Sequence, residues 1–205
     1  MVYKLIETEG YKSVLDVGCA SGDFINLMKI DNVRCIGLDV KQELITLARS
    51  KCNNPNTEFI LGNILSDNYS IDINIDCITC FGTAVTIENF RLFIERLISF
   101  KPKLVFLNDY INLNGLDVVV GYRREYPSEF NYAYNIRSKA TWRKLIENFS
   151  DYSIEFKPYV MKTKLSESDD PVRNFHSSID GEIFQRNGMD LILRPYNILI
   201  KRKIF

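Results

Sequence analysis

The stretch SVLDVGCASGDFINLM, Ser13 to Met28, decides how the rest of the chain is read. It starts as an apolar, β-branched run, passes through a turn bracketed by Gly18 and Gly22, and leaves with the period of a helix. Apolar alternation argues a strand, and Phe24, Leu27 and Met28 recur at helical spacing on one face. A strand that enters a helix through a turn with little side-chain bulk brings backbone close to whatever lies above it. In open parallel sheets that position is the crevice outside the carboxyl ends of the strands, where ligands bind.

The same alternation continues along the chain. RCIGLDV reads as a second strand, followed by a helix with Leu44, Ile45, Leu47 and Ala48. TEFILGNI and IDCITCF are a third and fourth strand; a helix carrying Phe90, Phe93, Ile94, Leu97 and Ile98 precedes KLVFLNDY, the fifth. A helix with Trp142, Leu145, Ile146 and Phe149 leads to SIEFKPYV and the closing NILIKRK. Strand and helix in alternation mean an α/β fold, a doubly wound and mostly parallel seven-stranded sheet with helices on both faces. Residues 1–205 form one domain on this reading. Two stretches, near 111–137 and 161–190, are too long for connectors and are expected to be substrate-binding insertions.

Composition narrows the function classes. Lys plus Arg and Asp plus Glu both number 26, so no net field favours a polyanion and a nucleic-acid partner is disfavoured. No apolar run approaches a membrane span, and the opening MVYKLIETEG lacks the core of a signal peptide, which points to the cytoplasm. Five cysteines, an odd count, fit a reducing compartment. Cys77 and Cys80 form a Cys-x-x-Cys, but side chains three apart on a strand face opposite ways, so no shared metal is expected. Nothing in the sequence sets an oligomeric state.

The turn selects the ligand. Asp39 closes the second strand, at the place where a carboxylate grips both hydroxyls of a ribose. A nicotinamide-type turn would read Gly-x-Gly-x-x-Gly and cradle a pyrophosphate, whereas GCASG spaces its glycines four apart and is preceded by Asp16. A carboxylate there repels a pyrophosphate and suits a ligand with an ammonium and a sulfonium. The expected cofactor is S-adenosyl-L-methionine.

VLDVGCASGDF, IGLDV, LGNI and IDCITCFGTAV together resemble the first four strand motifs of class I S-adenosylmethionine-dependent methyltransferases. The resemblance implies Asp16, Gly18, Cys19, Ala20 and Gly22 around the methionine part, Asp39 on the ribose and Val40 on the adenine face. It also implies Asn63 and Ile64 at the adenine edge and the backbone at Cys80 and Phe81 along the methionine. Two residues depart from the family pattern: Ala20 replaces the middle glycine, and Asn63 replaces the usual acid while keeping an amide oxygen for the adenine amino group.

The acceptor is read from the second half. A hydroxyl acceptor benefits from a base, and the candidates are Asp109, at the carboxyl end of the fifth strand, and His176, the sole histidine. Tyr110, Tyr122 and Arg123 are candidate acceptor contacts, in a segment that also holds Arg124, Tyr126, Phe130, Tyr132 and Tyr134. Aromatic faces beside arginines suit sugars and their phosphates, although the same aromatics equally make a satellite core. NYAYNIRSKATWRKLIE, DDPVRNFH and NGMDLILRPYNILIKRK are loosely similar to small bacterial methyltransferases of capsule and O-antigen synthesis. The expected function is methyl transfer to a small-molecule or glycan acceptor, a carbohydrate or sugar-phosphate hydroxyl. An RNA methyltransferase, a non-catalytic cofactor-binding activator subunit and a nicotinamide oxidoreductase are the rival readings.

Overall fold

The structure is a computed structural model that describes every residue except 29–31, 67–70, 72–73, 126, 128, 130, 162, 171 and 204–205. Tyr126 and Phe130 therefore lie outside the described residues, as does the side chain of Tyr132. Helix α1 (Val2–Thr8) leads into β1 (Ser13–Val17), α2 (Asp23–Leu27), β2 (Arg34–Asp39), α3 (Gln42–Lys51), β3 (Thr57–Leu61) and β4 (Cys77–Phe81). A 3-10 turn at Ala84–Thr86 precedes α4 (Phe90–Ser99) and β5 (Leu104–Asn112). Then come β6 (Val118–Tyr122), β7 (Asn131–Ser138), α5 (Lys139–Ile146) and β8 (Tyr152–Pro158). The chain closes with β9 (Asn174–Ile179), β10 (Glu182–Asn187), β11 (Ile192–Leu193) and β12 (Pro195–Arg202).

The seven strands expected from the sequence form one continuous path, β3-β2-β1-β4-β5-β12-β8. The first five are parallel; β12 runs antiparallel between β5 and β8. The chain moves outward through β2 and β3, then returns to β4 on the other side of β1. The order thus reverses between β1 and β4, directly below the Gly18–Gly22 turn.

Burial explains the two-sided packing. All five residues of β1 are buried, as a central strand covered on both faces requires. One core joins Leu15, Ile36, Ile78, Phe93, Leu97, Leu107, Trp142 and Ile198; the other joins Val14, Cys35, Ile45, Phe59, Phe106 and Leu199. Cys77 belongs to the second and Cys80 to the first, so the two thiols do lie on opposite faces. Among the described residues no group of three or more His, Cys, Asp or Glu side chains is placed to hold a metal.

Helix α4 follows its sequence pattern, burying all five expected apolar residues, with Asn89 accepting the Leu92 N–H at its start. Helix α2 does not. It spans only five residues, buries Ile25 with Met28 just beyond it, and leaves Leu27 78% exposed. The spacing held for a longer helix, and a helix ended after Leu27 has no second turn to bring that side chain onto the core.

The two expected insertions contain β structure. β6 and β7 pair antiparallel, with an irregularity between Val120 and Gly121, and the end of β7 runs parallel to the end of β5. Asp117 fastens this pair to α5 by accepting the Ser138 N–H and the Thr141 hydroxyl. β9, β10 and β11 make a separate antiparallel sheet, so His176 stands on a strand and not in a loop. Among the described residues no helix is long and apolar enough to cross a membrane.

Candidate cofactor and acceptor site

At the end of β1 the chain turns through left-handed conformations at Gly18 (φ 76°), Ala20 (φ 47°) and Gly22 (φ 73°). The Gly18 and Cys19 amides both donate to the Leu38 carbonyl, which ties the turn to β2. A side chain on Gly22 would run into Phe59 and Ala48, so that glycine also serves close packing of the turn on the sheet. A Cβ on Gly18 would stand 1.9 Å from the Thr83 hydroxyl. This glycine therefore admits the loop after β4, and a bulky replacement would first dislodge that loop. Ala20 tolerates its positive φ at a cost that glycine avoids.

Asp39 is fixed by main chain. One carboxylate oxygen accepts the Ala20 N–H at 2.9 Å and the other accepts the Lys41 N–H at 3.0 Å. Each oxygen keeps a lone pair, so the oriented carboxylate is ready for the two hydroxyls of a ribose. Val40, next to it, is 61% exposed and offers an apolar face for an adenine ring.

Asp16 lies beneath the turn, only 2% exposed, and receives the Thr79 hydroxyl at 2.7 Å from β4. Burial pushes its carboxyl up to about 7, against the pull of that hydrogen bond and with a further push from Asp39. No cation among the described residues pairs with it. A buried carboxylate of this kind is relieved by a cationic ligand and penalised by an anionic one, which fits an ammonium and a sulfonium. Asn63 is exposed, and its amide oxygen accepts the Leu65 N–H at 2.9 Å while keeping a second lone pair.

The side chains of Cys19, Ile64 and Cys80 are packed into the apolar cores, which leaves their backbone for a cofactor, as expected at Cys80. Burial holds the Cys80 thiol up at about 12, with Asp109 and Asp16 adding to the rise. Phe81 stays 36% exposed, its ring 4.5 Å from that of Phe24 and 5.9 Å from that of Phe106.

Asp109 sits just past the end of β4, on β5, and is 3% exposed. Its Oδ1 accepts the Tyr110 N–H at 2.8 Å. Burial raises its carboxyl to about 7, offset by that N–H and by the charge of Arg137. Arg137, which the sequence reading passed over, is itself buried and lies 4.0 Å over the Phe90 ring. Its guanidinium donates to the carbonyls of Ala84, Asn135 and Ile87, clamping the loop after β4 beside the site. Thr79 and Thr83 were also passed over. Thr79 is legible in hindsight because β1 and β4 are neighbours in register at Asp16 and Thr79, but that register is tertiary information.

Among its described residues the aromatic segment is largely packing. Tyr110, Tyr122 and Ile136 gather around buried Val85 and Tyr134, and the Tyr110 and Tyr134 rings meet edge-on at 5.6 Å. Arg124 lies 6.0 Å from the Tyr122 ring centre and pairs with Asp170 at 3.3 Å, joining the two insertions. Arg123 beside it is half-buried. From the other insertion, the Asn174 amide donates to the Tyr110 hydroxyl. Burial first, then Tyr134, raises that hydroxyl's pKa, and the Asn174 and Gln185 side chains pull it down.

His176 stands across from Gln185 in the β9–β10 register, one cross-strand neighbour away from Tyr110. Its Nδ1 accepts the Leu165 N–H at 2.7 Å, so in the neutral ring the proton is on Nε2. The geometry makes it a hydrogen-bond donor sooner than a base.

The family model described as "Methyltransferase domain" matches residues 9–167. No curated relative matches the sequence. Among solved structures, the YcgJ protein from Bacillus subtilis superposes with a TM-score of 0.65 at 18% identity, over 99% of this chain and 97% of that one. Magnesium protoporphyrin IX methyltransferase from Synechocystis PCC 6803 with bound SAM gives 0.58 at 13% identity, over 98% and 76%. A putative methyltransferase in complex with the Haloferax volcanii Trm112 methyltransferase activator gives 0.63 at 11% identity, over 95% and 83%. At these identities the likeness is one of fold.

Proposed function

The chain belongs to the methyltransferase-domain family and is an S-adenosylmethionine-dependent methyltransferase; on that premise we propose that its acceptor is a small polar molecule, a carbohydrate or sugar-phosphate hydroxyl of the kind methylated in bacterial surface-polysaccharide synthesis. The observation that carries the hydroxyl is Asp109, a buried carboxylate raised to about 7 at the carboxyl edge of the sheet. An alcohol is a weak nucleophile until its proton is taken, and a base works best when its pKa lies near the working pH. A carboxylate acceptor would need no such group.

The cofactor, when bound, supplies a methyl group already activated on sulfur. Asp39 would hold its ribose hydroxyls, Val40 would cover the adenine, and Asn63 with the Ile64 backbone would meet the adenine edge. Asp16 and the Gly18–Gly22 turn would take the methionine part. Next to the end of β4, Gly82 has no atom within 4 Å of where a side chain would stand, leaving room for an acceptor beside Asp109. Asp109 would accept the proton of an acceptor hydroxyl placed beside it, and the bound cofactor would supply the activated methyl group and leave as S-adenosylhomocysteine; holding the two in line supplies much of the rate. Arg137 keeps the loop that walls this space from moving.

The test is release of S-adenosylhomocysteine over a panel of hexoses, hexose phosphates, nucleotide sugars and RNA. Turnover on a sugar-based acceptor is expected, with kcat rising through pH 7 as Asp109 ionises. Asp109→Asn should lower kcat roughly 100- to 10,000-fold while S-adenosylhomocysteine binds within threefold of wild type. Turnover confined to RNA overturns the acceptor class, and full turnover by Asp109→Asn from pH 6 to 9 overturns the base.

A further inference from the structure

A cavity of about 550 Å³ opens between the end of β8, the segment after it, the small β9–β11 sheet and the start of β12. It lies on the same edge of the main sheet as the site above. Pro195 and Tyr196, which wall it, are the cross-strand partners of Tyr110 and Asp109 in the β5–β12 register. Neighbouring strands are about 5 Å apart, so the cavity begins one strand from the base. Gln185 connects the two, lining the cavity while its amide bonds the Tyr110 hydroxyl.

The chemistry of the wall is mixed in a particular way. Tyr159, Phe184 and Tyr196 give aromatic surface. His176 also lines the cavity, and because its Nδ1 is engaged by Leu165, its remaining ring nitrogen is a donor. Gln185 Oε1 is buried and has no hydrogen-bond partner among the described residues, so an acceptor stands near that donor. A donor and an acceptor beside an aromatic face match a ring hydroxyl, which needs one of each. Lys164 and Arg194 add two cations, and neither has an ion pair among the described residues.

We propose that this cavity binds the body of the acceptor and selects an anionic sugar, whose phosphate or carboxylate meets Lys164 and Arg194 while its ring hydroxyls meet His176 and Gln185. This rests on the methyl-transfer reading above and narrows its acceptor to a charged one. The sugar ring is anchored here, and the reacting hydroxyl extends across Tyr110 toward Asp109. An anchor remote from the reacting atoms holds ground and transition states alike, so it appears in KM and in direct binding more than in kcat.

The experiment is calorimetric titration of the full-length protein, loaded with S-adenosylhomocysteine, against paired probes: hexose phosphates and hexuronates, each beside its neutral hexose. At least one anionic probe should bind tenfold or more tighter than its neutral partner, with an advantage that shrinks as salt rises. Arg194→Gln and Lys164→Gln should each reduce that advantage at least fivefold, with S-adenosylhomocysteine affinity and melting temperature unchanged. His176→Phe, which keeps an aromatic ring and removes the donor, should weaken anionic and neutral probes equally. Equal binding of charged and neutral probes, or an advantage that survives both cation variants, overturns the proposal. Arms that differ only in the anion's source, phosphate or carboxylate, identify which one the cavity takes. Binding here without turnover on any sugar would overturn the methyl-transfer reading and leave the cavity standing; turnover on neutral sugars that both cation variants leave intact would do the reverse.

Discussion

The half of the molecule from β1 to β4 and the half beyond β5 solve the same problem, positioning polar groups on one sheet edge, in different ways. In the first half the placement is made by main chain: Asp39 is held by two backbone amides, and the Gly18–Gly22 turn is tied to the Leu38 carbonyl. In the second half it is made by side chains: Arg137 clamps three carbonyls, Arg124 reaches Asp170, and Asn174 reaches Tyr110. Main-chain placement follows from local geometry and so leaves a short sequence motif. Side-chain placement depends mostly on partners 46 to 64 residues away and leaves none.

The largest effect that would break this contrast is at Asp39. Replacing it by Ala removes two charge-assisted hydrogen bonds to the ribose, each worth about 1.5–3 kcal/mol before compensation. S-Adenosylhomocysteine affinity is expected to fall roughly ten- to a thousandfold by calorimetry, without change in anionic-sugar binding. An affinity within threefold of wild type would mean that the oriented carboxylate does not face the cofactor.

Arg137→Met tests the other half. It keeps the packing on Phe90 and strips the donors from three carbonyls, at an expected net cost of about 2–4 kcal/mol. Thermal unfolding should then drop by roughly 5–15 °C. Cofactor affinity should move less than with Asp39→Ala, because the motif side is held independently. Equal loss of cofactor binding would show that the two halves are one unit.

The smallest effect is a pH dependence centred on Asp16. Its carboxyl stands near 7 in the folded protein against an ordinary value near 4, so the folded state holds the proton longer than the unfolded chain. Stability of the cofactor-free protein therefore falls as pH rises from about 4 to about 7, and the full cost is present above 7. Asp16→Asn should melt about 5 °C higher than wild type at pH 8 and close to it at pH 4. Cofactor binding should show the opposite slope, tightening in wild type as pH rises through 7 because the ionised carboxylate meets an ammonium. A flat profile in both measurements would remove Asp16 from the site.

Sequence periodicity was enough for the seven strands of the main path and for the full burial of α4, because both arise from residues close together in the chain. It overreached at α2, where spacing suggested a buried Leu27, and it did not show that the missing side chain of Gly22 makes room for Phe59. It named Cys19, Ile64 and Cys80 at the crevice without deciding their side chains, which are packed into the apolar cores. Period and motif set which residues stand at the edge, but which way each side chain turns is decided by what the neighbouring strand or helix leaves empty.

By itself the sequence determined a parallel α/β sheet, the turn after its first strand, and the acids Asp16 and Asp39 on either side of that turn, since strand alternation and glycine spacing are local properties of the chain. The tertiary structure alone decided that Asp109 is buried beside Arg137, that His176 gives away its Nδ1 to Leu165, and that Gln185, Lys164 and Arg194 share one cavity with Tyr196. Those groups meet only when β12 returns between β5 and β8 and carries the small sheet over the edge. No spacing along the chain encodes that meeting, because burial and pairing across long sequence separations are set by packing.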